Sequence, residues 1–211
     1  MSKLRQIWGW IWPSLVVILI ALGFVTFVAK PSTVSGPSME PNLQDKEHVW
    51  AFTRLPIHHG SVIVFDSYGV DPVSSGHRLY VKRVIGLPGD TVTSDHGTIY
   101  VNDRPINQNY ISQKQQDSTG SWNFKKLAKK NKWQKNIDVV KVPQGCYFVL
   151  GDHRTVSNDS RYFGFVPQQN VVGVAKVFWW NVAFGSVTKQ EQINIDKQWK
   201  DFYQAGDSKN G

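Results

Sequence analysis

Two residues of this chain have side chains that could do chemistry together. Ser38 lies in Val34-Ser35-Gly36-Pro37-Ser38-Met39-Glu40-Pro41, and Lys82 lies in Tyr80-Val81-Lys82-Arg83-Val84-Ile85-Gly86-Leu87-Pro88-Gly89-Asp90. A serine hydroxyl is a weak nucleophile until a neighbouring base takes its proton. Lysine becomes such a base when an apolar site suppresses its charge. At its ordinary pKa of ~10.4 the amine is over ~99% protonated at pH 7 and accepts nothing. Lowering that pKa by ~2 units requires a differential cost of ~2.7 kcal/mol on the charged form. Burial against Tyr80, Val84 and core strands is the expected source of that cost.

The elements that must position the pair follow from local pattern. Arg78 to Ile85 alternates, with Tyr80, Lys82 and Val84 on one strand face and Val81, Arg83 and Ile85 on the other. Leu87-Pro88-Gly89-Asp90 reads as a turn. Further strands are expected at Val49 to Phe52, Ser61 to Phe65, Val139 to Val142, Cys146 to Leu150 and Val171 to Trp179. Thr91 to Thr93 and Thr98 to Val101 read as hairpin arms. Soluble helices are expected only between Trp122 and Gln134 and near Gln190 to Tyr203. The pattern predicts a mainly β fold, sandwich- or barrel-like, with an inserted lobe over 102–138. The division expected is 1–30 for the N-terminus and anchor, 31–101 and 139–188 for the two parts of the core, and 189–211 for a polar tail. Lys30 to Pro37 reads as a short linker.

Trp8 to Ala29 contains no charged residue. As a helix at ~1.5 Å per residue it would reach ~33 Å, enough for a ~30 Å hydrocarbon core. Trp8, Trp10 and Trp12 suit a membrane–water interface, and Lys3 and Arg5 before them favour a cytoplasmic N-terminus with the rest of the chain outside. Phe27 and Ala29 fit a signal-peptide cleavage site poorly, so an uncleaved transmembrane signal-anchor is expected. A Ser/Lys pair held just beyond a membrane suits an enzyme that cuts peptides at the bilayer surface.

A third segment completes the pattern: Gly151-Asp152-His153-Arg154-Thr155-Val156-Ser157-Asn158-Asp159-Ser160-Arg161-Tyr162-Phe163-Gly164. The order and content of the three segments resemble the type I signal peptidase (leader peptidase) family. The single anchor and the Gly36 before Pro37-Ser38-Met39 resemble its Gram-positive branch. The resemblance implies the β-rich catalytic core of that family, with Ser38 as acylated nucleophile and Lys82 as general base. It also implies that Ser157 hydrogen-bonds the lysine amine and that Asp159 and Arg161 form a salt bridge near the site, with Asp159 facing Arg161. Asp152 and Arg154 are expected to be structural. Some members place a second oxyanion donor, a serine hydroxyl, where this chain has Gly36. That leaves a backbone N–H, Ser35 or water for the role. His153 stands where the family usually has asparagine. The implied substrates are signal peptides of exported pre-proteins, met at membrane lipid beside the export machinery, by an enzyme of the cell membrane whose catalytic domain is extracytoplasmic.

Other chemistry is poorly represented. The net charge is +8, with Lys125, Lys126, Lys129, Lys130, Lys132 and Lys135 crowded together, but no nucleic-acid signature accompanies them. A solvated or lipid-facing basic surface is expected instead. The one cysteine, Cys146, makes no internal disulfide and is expected to be buried. No metal motif and no phosphate-cradling glycine loop is present, so neither a metal nor a cofactor is expected. Ser186-Val187-Thr188-Lys189 matches Ser-x-x-Lys by chance, without companion motifs. A self-cleaving regulator would share the dyad but carry DNA-binding helices and no anchor. An inert membrane-bound binding protein would tend to lose Ser38 or Lys82.

Overall fold

A computed structural model describes residues 3–133 and 139–204, with the side chains of 3–7, 9, 21 and 24–26 outside the description. Lys135, the remainder of 134–138 and the tail beyond 204 therefore lie outside the described residues. The fold is mainly β, with eleven strands among the described residues. One sheet has seven strands in the order β1-β2-β11-β3-β4-β9-β10. Its members are β1 (Ala29–Thr33), β2 (His48–Phe52), β3 (Val62–Asp66), β4 (Leu79–Gly86), β9 (Cys146–Leu150), β10 (Val166–Pro167) and β11 (Val171–Lys176). The other has four, β7-β6-β5-β8, from β5 (Val92–Asp95), β6 (Thr98–Val101), β7 (Arg104–Pro105) and β8 (Trp122–Asn123). Every pairing is antiparallel.

The small sheet begins at Val92, ahead of the lobe boundary expected at 102. The reason is the β5–β6 hairpin, whose turn residues His96 and Gly97 both take positive φ. Two successive left-handed residues turn the chain tightly enough to join strands of matching twist. The lobe is not a separate body. Ile99, Val101, Trp122, Phe124 and Leu127 pack into one cluster with Ile85, Phe148 and Leu150 of the large sheet.

Helix α1 spans Lys3–Phe27. Among the described residues no helix is long and apolar enough to cross a membrane. The side chains of α1 are described without interruption only over 10–20, where they are exposed. The short helices are α2 (Gln113–Asp117), α3 (Phe124–Asn131), α4 (Ser160–Phe163), α5 (Trp179–Ala183) and α6 (Lys189–Asp196). Three of these, α2, α4 and α5, were not legible as helices, because one turn is too short to show a 3.6-residue period. The strand expected over 171–179 stops at Lys176, and Trp179 starts α5. Val139–Val142 forms no strand. Instead Val142 clasps the turn after β4, donating to the Asp90 carbonyl at 2.8 Å and accepting from the Gly89 N–H at 2.8 Å.

The expected linker over 30–37 is partly strand: Ala29–Thr33 pairs with Phe52–His48. Pro31, which has no N–H, is tolerated because β1 is an edge strand. The Ser-x-x-Lys match is the start of α6, where Thr188 and Glu191 form a reciprocal cap.

The C-terminal tail folds back rather than fraying up to residue 204. Phe202 is buried in the lobe cluster and stacks on His59 with ring centroids 4.9 Å apart. Tyr203 bridges to Ile106. Replacing Phe202 by Ala should cost about 3–4 kcal/mol, read as a lowered urea midpoint of the detergent-solubilised chain. A loss below about 1 kcal/mol would mean that the tail is dispensable to the core.

Candidate active site

Strand β4 carries Lys82 through the centre of the large sheet. Its first part pairs with β3, placing Ile63 opposite Lys82. Pairing with β9 begins only at Arg83. Lys82 thus sits where one edge of the strand has no partner strand, and loops cover it instead. Two loops do so: the turn bearing Ser38 and the segment after β9 that starts at Gly151.

The turn bearing Ser38 is held from several sides. Met39 and Leu43 are buried in the cluster formed with Val34, Val62 and Val81. Asn42, also buried, donates to the Tyr110 carbonyl at 2.8 Å and to Asp152 Oδ2 at 2.8 Å. The His153 backbone N–H donates to the Ser38 carbonyl at 3.1 Å. The His153 ring lies 3.3 Å from the Pro37 carbonyl and 3.7 Å from the Glu40 carboxylate. Gly151 must be glycine at this approach, because a Cβ would overlap both Ser157 Oγ and the Ser38 carbonyl oxygen.

Lys82 Nζ lies 2.7 Å from Ser38 Oγ and 3.0 Å from the Val81 carbonyl oxygen, to which it donates. Its side chain runs beside the Tyr80 ring, whose centroid is 5.3 Å from the amine. Lys82 is only 4% exposed. Burial lowers its pKa from the ordinary 10.5 to about 8, and the charges of Asp159, Asp152 and Asp71 resist that fall. At pH 7 about a tenth of such amines are neutral, against about three in ten thousand for an ordinary lysine.

Two of those carboxylates are tied to arginines. Arg83 forks onto Asp152, Nε to Oδ1 at 2.8 Å and Nη2 to Oδ2 at 2.6 Å, both side chains fully buried. Arg161 forks onto Asp159 at 2.8 and 2.9 Å. Asp159 also accepts the Gly151 N–H at 3.0 Å, which fixes the glycine against the site. Arg154 does more than bond its own turn. It reaches Gln108 and Thr119 at 2.8 and 2.9 Å and the Tyr110 hydroxyl at 2.9 Å, locking the lobe to the site segment. Nothing in the local sequence of Gln108, Tyr110 or Thr119 announces that partnership.

One expected contact is absent. Ser157 Oγ is buried beside Gly151 and the Ser38 carbonyl, but has no hydrogen-bond partner among the described residues. It does not bond Lys82, whose two contacts are Ser38 and Val81. The hydroxyl packs against Gly151, where a Cβ would overlap it. Gly36 takes a φ of +82° and donates its N–H to Asp45 Oδ1 at 2.7 Å, so that N–H is already engaged. Ser35 is exposed. The Ser38 N–H, by contrast, has no partner among the described residues. Cys146 is half-buried rather than buried, and burial pushes its thiol pKa up, away from the reactive thiolate.

Residues 7–180 match the family model described as signal peptidase, peptidase S26. A probable signal peptidase I-2 of Synechocystis is 33% identical over 86% of this chain and 78% of its own length. Signal peptidase IB of Staphylococcus aureus is 35% identical over 83% of this chain and 91% of its own. A solved signal peptidase I from Enterococcus faecalis is 34% identical, with 57% of this chain and 97% of that one covered, at a TM-score of 0.45.

A buried amine with a lowered pKa is a burden on folding. Between pH 8 and 10.5 the unfolded lysine holds a proton that the folded one has lost. Stability therefore rises with pH through that window, and below it the burden is present in full. Lys82→Met, similar in volume and never charged, should be more stable than the parent at pH 7, by at most on the order of 3 kcal/mol. The gain should shrink toward pH 10.5, as read by urea unfolding at several pH values. A parent chain that is the more stable of the two at pH 7 would contradict a desolvated amine.

Proposed function

The chain belongs to the signal peptidase family, peptidase S26, and from that membership we propose that it cleaves signal peptides from exported pre-proteins with a Ser38/Lys82 dyad while anchored in the membrane. The family activity is that of a serine endopeptidase. The observation that carries the dyad is the 2.7 Å approach of a buried, largely desolvated amine to the Ser38 hydroxyl.

Neutral Lys82 takes the hydroxyl proton as Ser38 Oγ attacks the scissile carbonyl carbon. The oxyanion that forms is met by the Ser38 N–H, which no other described group engages. The ammonium then returns its proton to the leaving amine as the C–N bond breaks, and the acyl group stays on Ser38. A water attacks the ester next. Lys82 takes the water's proton, and Ser38 leaves with its hydroxyl restored. Val81 O orients the amine throughout. Asp159–Arg161 and Asp152–Arg83 hold the backbone around it. Ser157 is free to bond the amine only after a rearrangement of the site.

An extended substrate has an edge to use. Leu79, Tyr80 and Val81 run on beyond the end of β9 with no partner strand on that side among the described residues. Backbone pairing there would bring a scissile bond alongside Lys82. Small residues at −1 and −3 of the cleavage site, the family preference, would suit shallow pockets beside that edge.

The charge-free run of α1 is the proposed single membrane span, with the N-terminus cytoplasmic and the catalytic domain outside. Its join to the domain is short. The Phe27 carbonyl accepts from Thr53 Oγ1 at 3.0 Å, and β1 follows at Ala29. Four residues lie between Thr33 and Ser38, so the five steps between them reach at most ~17–18 Å. Tethering confines enzyme and membrane-bound signal peptide to one thin layer and raises their effective concentration. Beside the join, Phe178 packs on Trp50 and Phe52. Trp179 and Phe184 beyond it are 69% and 87% exposed. We assign that aromatic patch to the lipid interface.

For the dyad, kcat/KM on a pre-protein should rise about tenfold per pH unit and level off near pH 8. Ser38→Ala and Lys82→Ala should each lose at least about a thousandfold. Cleavage retained by either variant would remove the dyad. For the patch, replacing Trp179 and Trp180 by Ser should lower quenching by lipid-borne quenchers by roughly two fifths, two of about five interfacial tryptophans being lost. Unchanged quenching would place those rings away from lipid.

A further inference from the structure

Asp71 lies on the loop between β3 and β4, outside the three segments that carry the candidate site. It is 3% exposed. Its Oδ2 accepts from the Tyr80 hydroxyl at 2.8 Å and from Asn158 Nδ2 at 2.7 Å. Its Oδ1 accepts the Val73 N–H at 3.0 Å. One carboxylate therefore ties the strand of Lys82 to the segment of Ser157. It also fixes the Tyr80 ring that flanks the lysine amine.

Three carboxylates favour the charged form of that amine, Asp159 most, then Asp152 and then Asp71. Asp159 is forked by Arg161 and Asp152 by Arg83, so each already has a cation. Asp71 has none. Among the described residues its side-chain partners are a phenol, an amide and a backbone N–H, all neutral. The phenol stays protonated, because burial and the Asp71 charge both raise the Tyr80 pKa. Asp71 is thus the buried carboxylate of the three with no arginine forked onto it among the described residues, and it adds a smaller share than Asp159 and Asp152 to holding the proton on Lys82.

We propose that Asp71 is a positioning residue that sets the strength of Lys82 as a base. The inference deepens the dyad reading and rests on it. Burial alone drives the amine toward a weaker base. A base that is too weak is neutral at working pH but takes a serine proton poorly. The same amine must also hold that proton long enough to hand it to the leaving group. A carboxylate bonded to the Tyr80 ring that flanks the amine favours the protonated form and, with Asp159 and Asp152, offsets part of the desolvation. Through Tyr80 the same carboxylate keeps the lysine stem aimed at Ser38.

The test reads the lysine directly, in the full chain in detergent. With 13Cε-labelled lysine and Ser38→Ala to stop turnover, the Lys82 resonance is titrated with and without Asp71→Asn. The midpoint should fall by on the order of half a unit to one unit when the charge is removed. With Ser38 intact, the rising limb of kcat/KM should move toward acid by the same amount, and its plateau should drop. Tyr80→Phe keeps the charge and removes one bond, so it should lower the plateau and leave the limb where it was. If Asp71→Asn does not fold, Asp71→Ser retains a hydroxyl acceptor and repeats the titration. A Lys82 midpoint indifferent to Asp71 overturns the proposal, whatever cleavage does. Cleavage surviving in Lys82→Ala defeats the dyad instead, and leaves the titration to be read separately.

Discussion

An amine kept out of water is the constraint on which the rest of this structure depends. Lys82 is buried, yet among the described residues its head group makes only two hydrogen bonds, to the Ser38 hydroxyl and the Val81 carbonyl. An ammonium with three N–H groups would be under-satisfied there, whereas a neutral amine with one lone pair and two N–H groups is close to matched. Desolvation and the sparse partner set therefore favour the same protonation state. Close packing maintains both, since a channel of water would restore the ordinary pKa.

Its neighbour shows the opposite solution. Arg83 is on the other face of β4 and just as deeply buried, but it remains charged. Asp152 meets its fork, and the carbonyls of Gly60 and Asn194 take further N–H groups at 3.0 and 2.9 Å. The two adjacent residues divide the work. Arg83 welds β4 to the segment after β9, to the Ser38 turn through Asn42, and to α6. That scaffold lets Lys82 do without a carboxylate forked onto it among the described residues. A buried arginine is satisfied only by many acceptors in fixed geometry, so such a residue gathers distant elements around it.

The domain is fixed to its N-terminal helix without slack. Strand β1 begins two residues after α1 ends and closes the edge of the large sheet. The exposed aromatics Trp179, Trp180 and Phe184 follow Phe178, which packs on β2 beside that same join. The lysine-rich face of α3 belongs to the lobe, which packs against Phe148 and Leu150 of β9, toward the edge of the large sheet opposite β1. The apolar and basic surfaces are thus carried by different parts of one body.

The sequence by itself carried whatever is written within a few residues. The alternation of β4 put Lys82 on a defined strand face. The hairpin of β5 and β6 was visible in its turn, as were α3 and α6 in their longer runs. Ser38, Lys82 and the 151–164 segment stood out by residue type and order. Tertiary structure decided the rest, because it concerns atoms far apart in the chain. The Ser38–Lys82 approach spans 44 positions. The pKa of Lys82 is a sum over desolvation and three carboxylates, one of them Asp71 on an unremarkable loop. Ser157 looked like a partner of the lysine by motif, yet its buried hydroxyl, close against Gly151, has no hydrogen-bond partner among the described residues. The polar tail is held by two apolar anchors, Ile195 and Phe202, whose cores lie elsewhere in the molecule and so beyond any local pattern. Local pattern fixes which face a side chain takes, whereas its charge state depends on everything that excludes water from it.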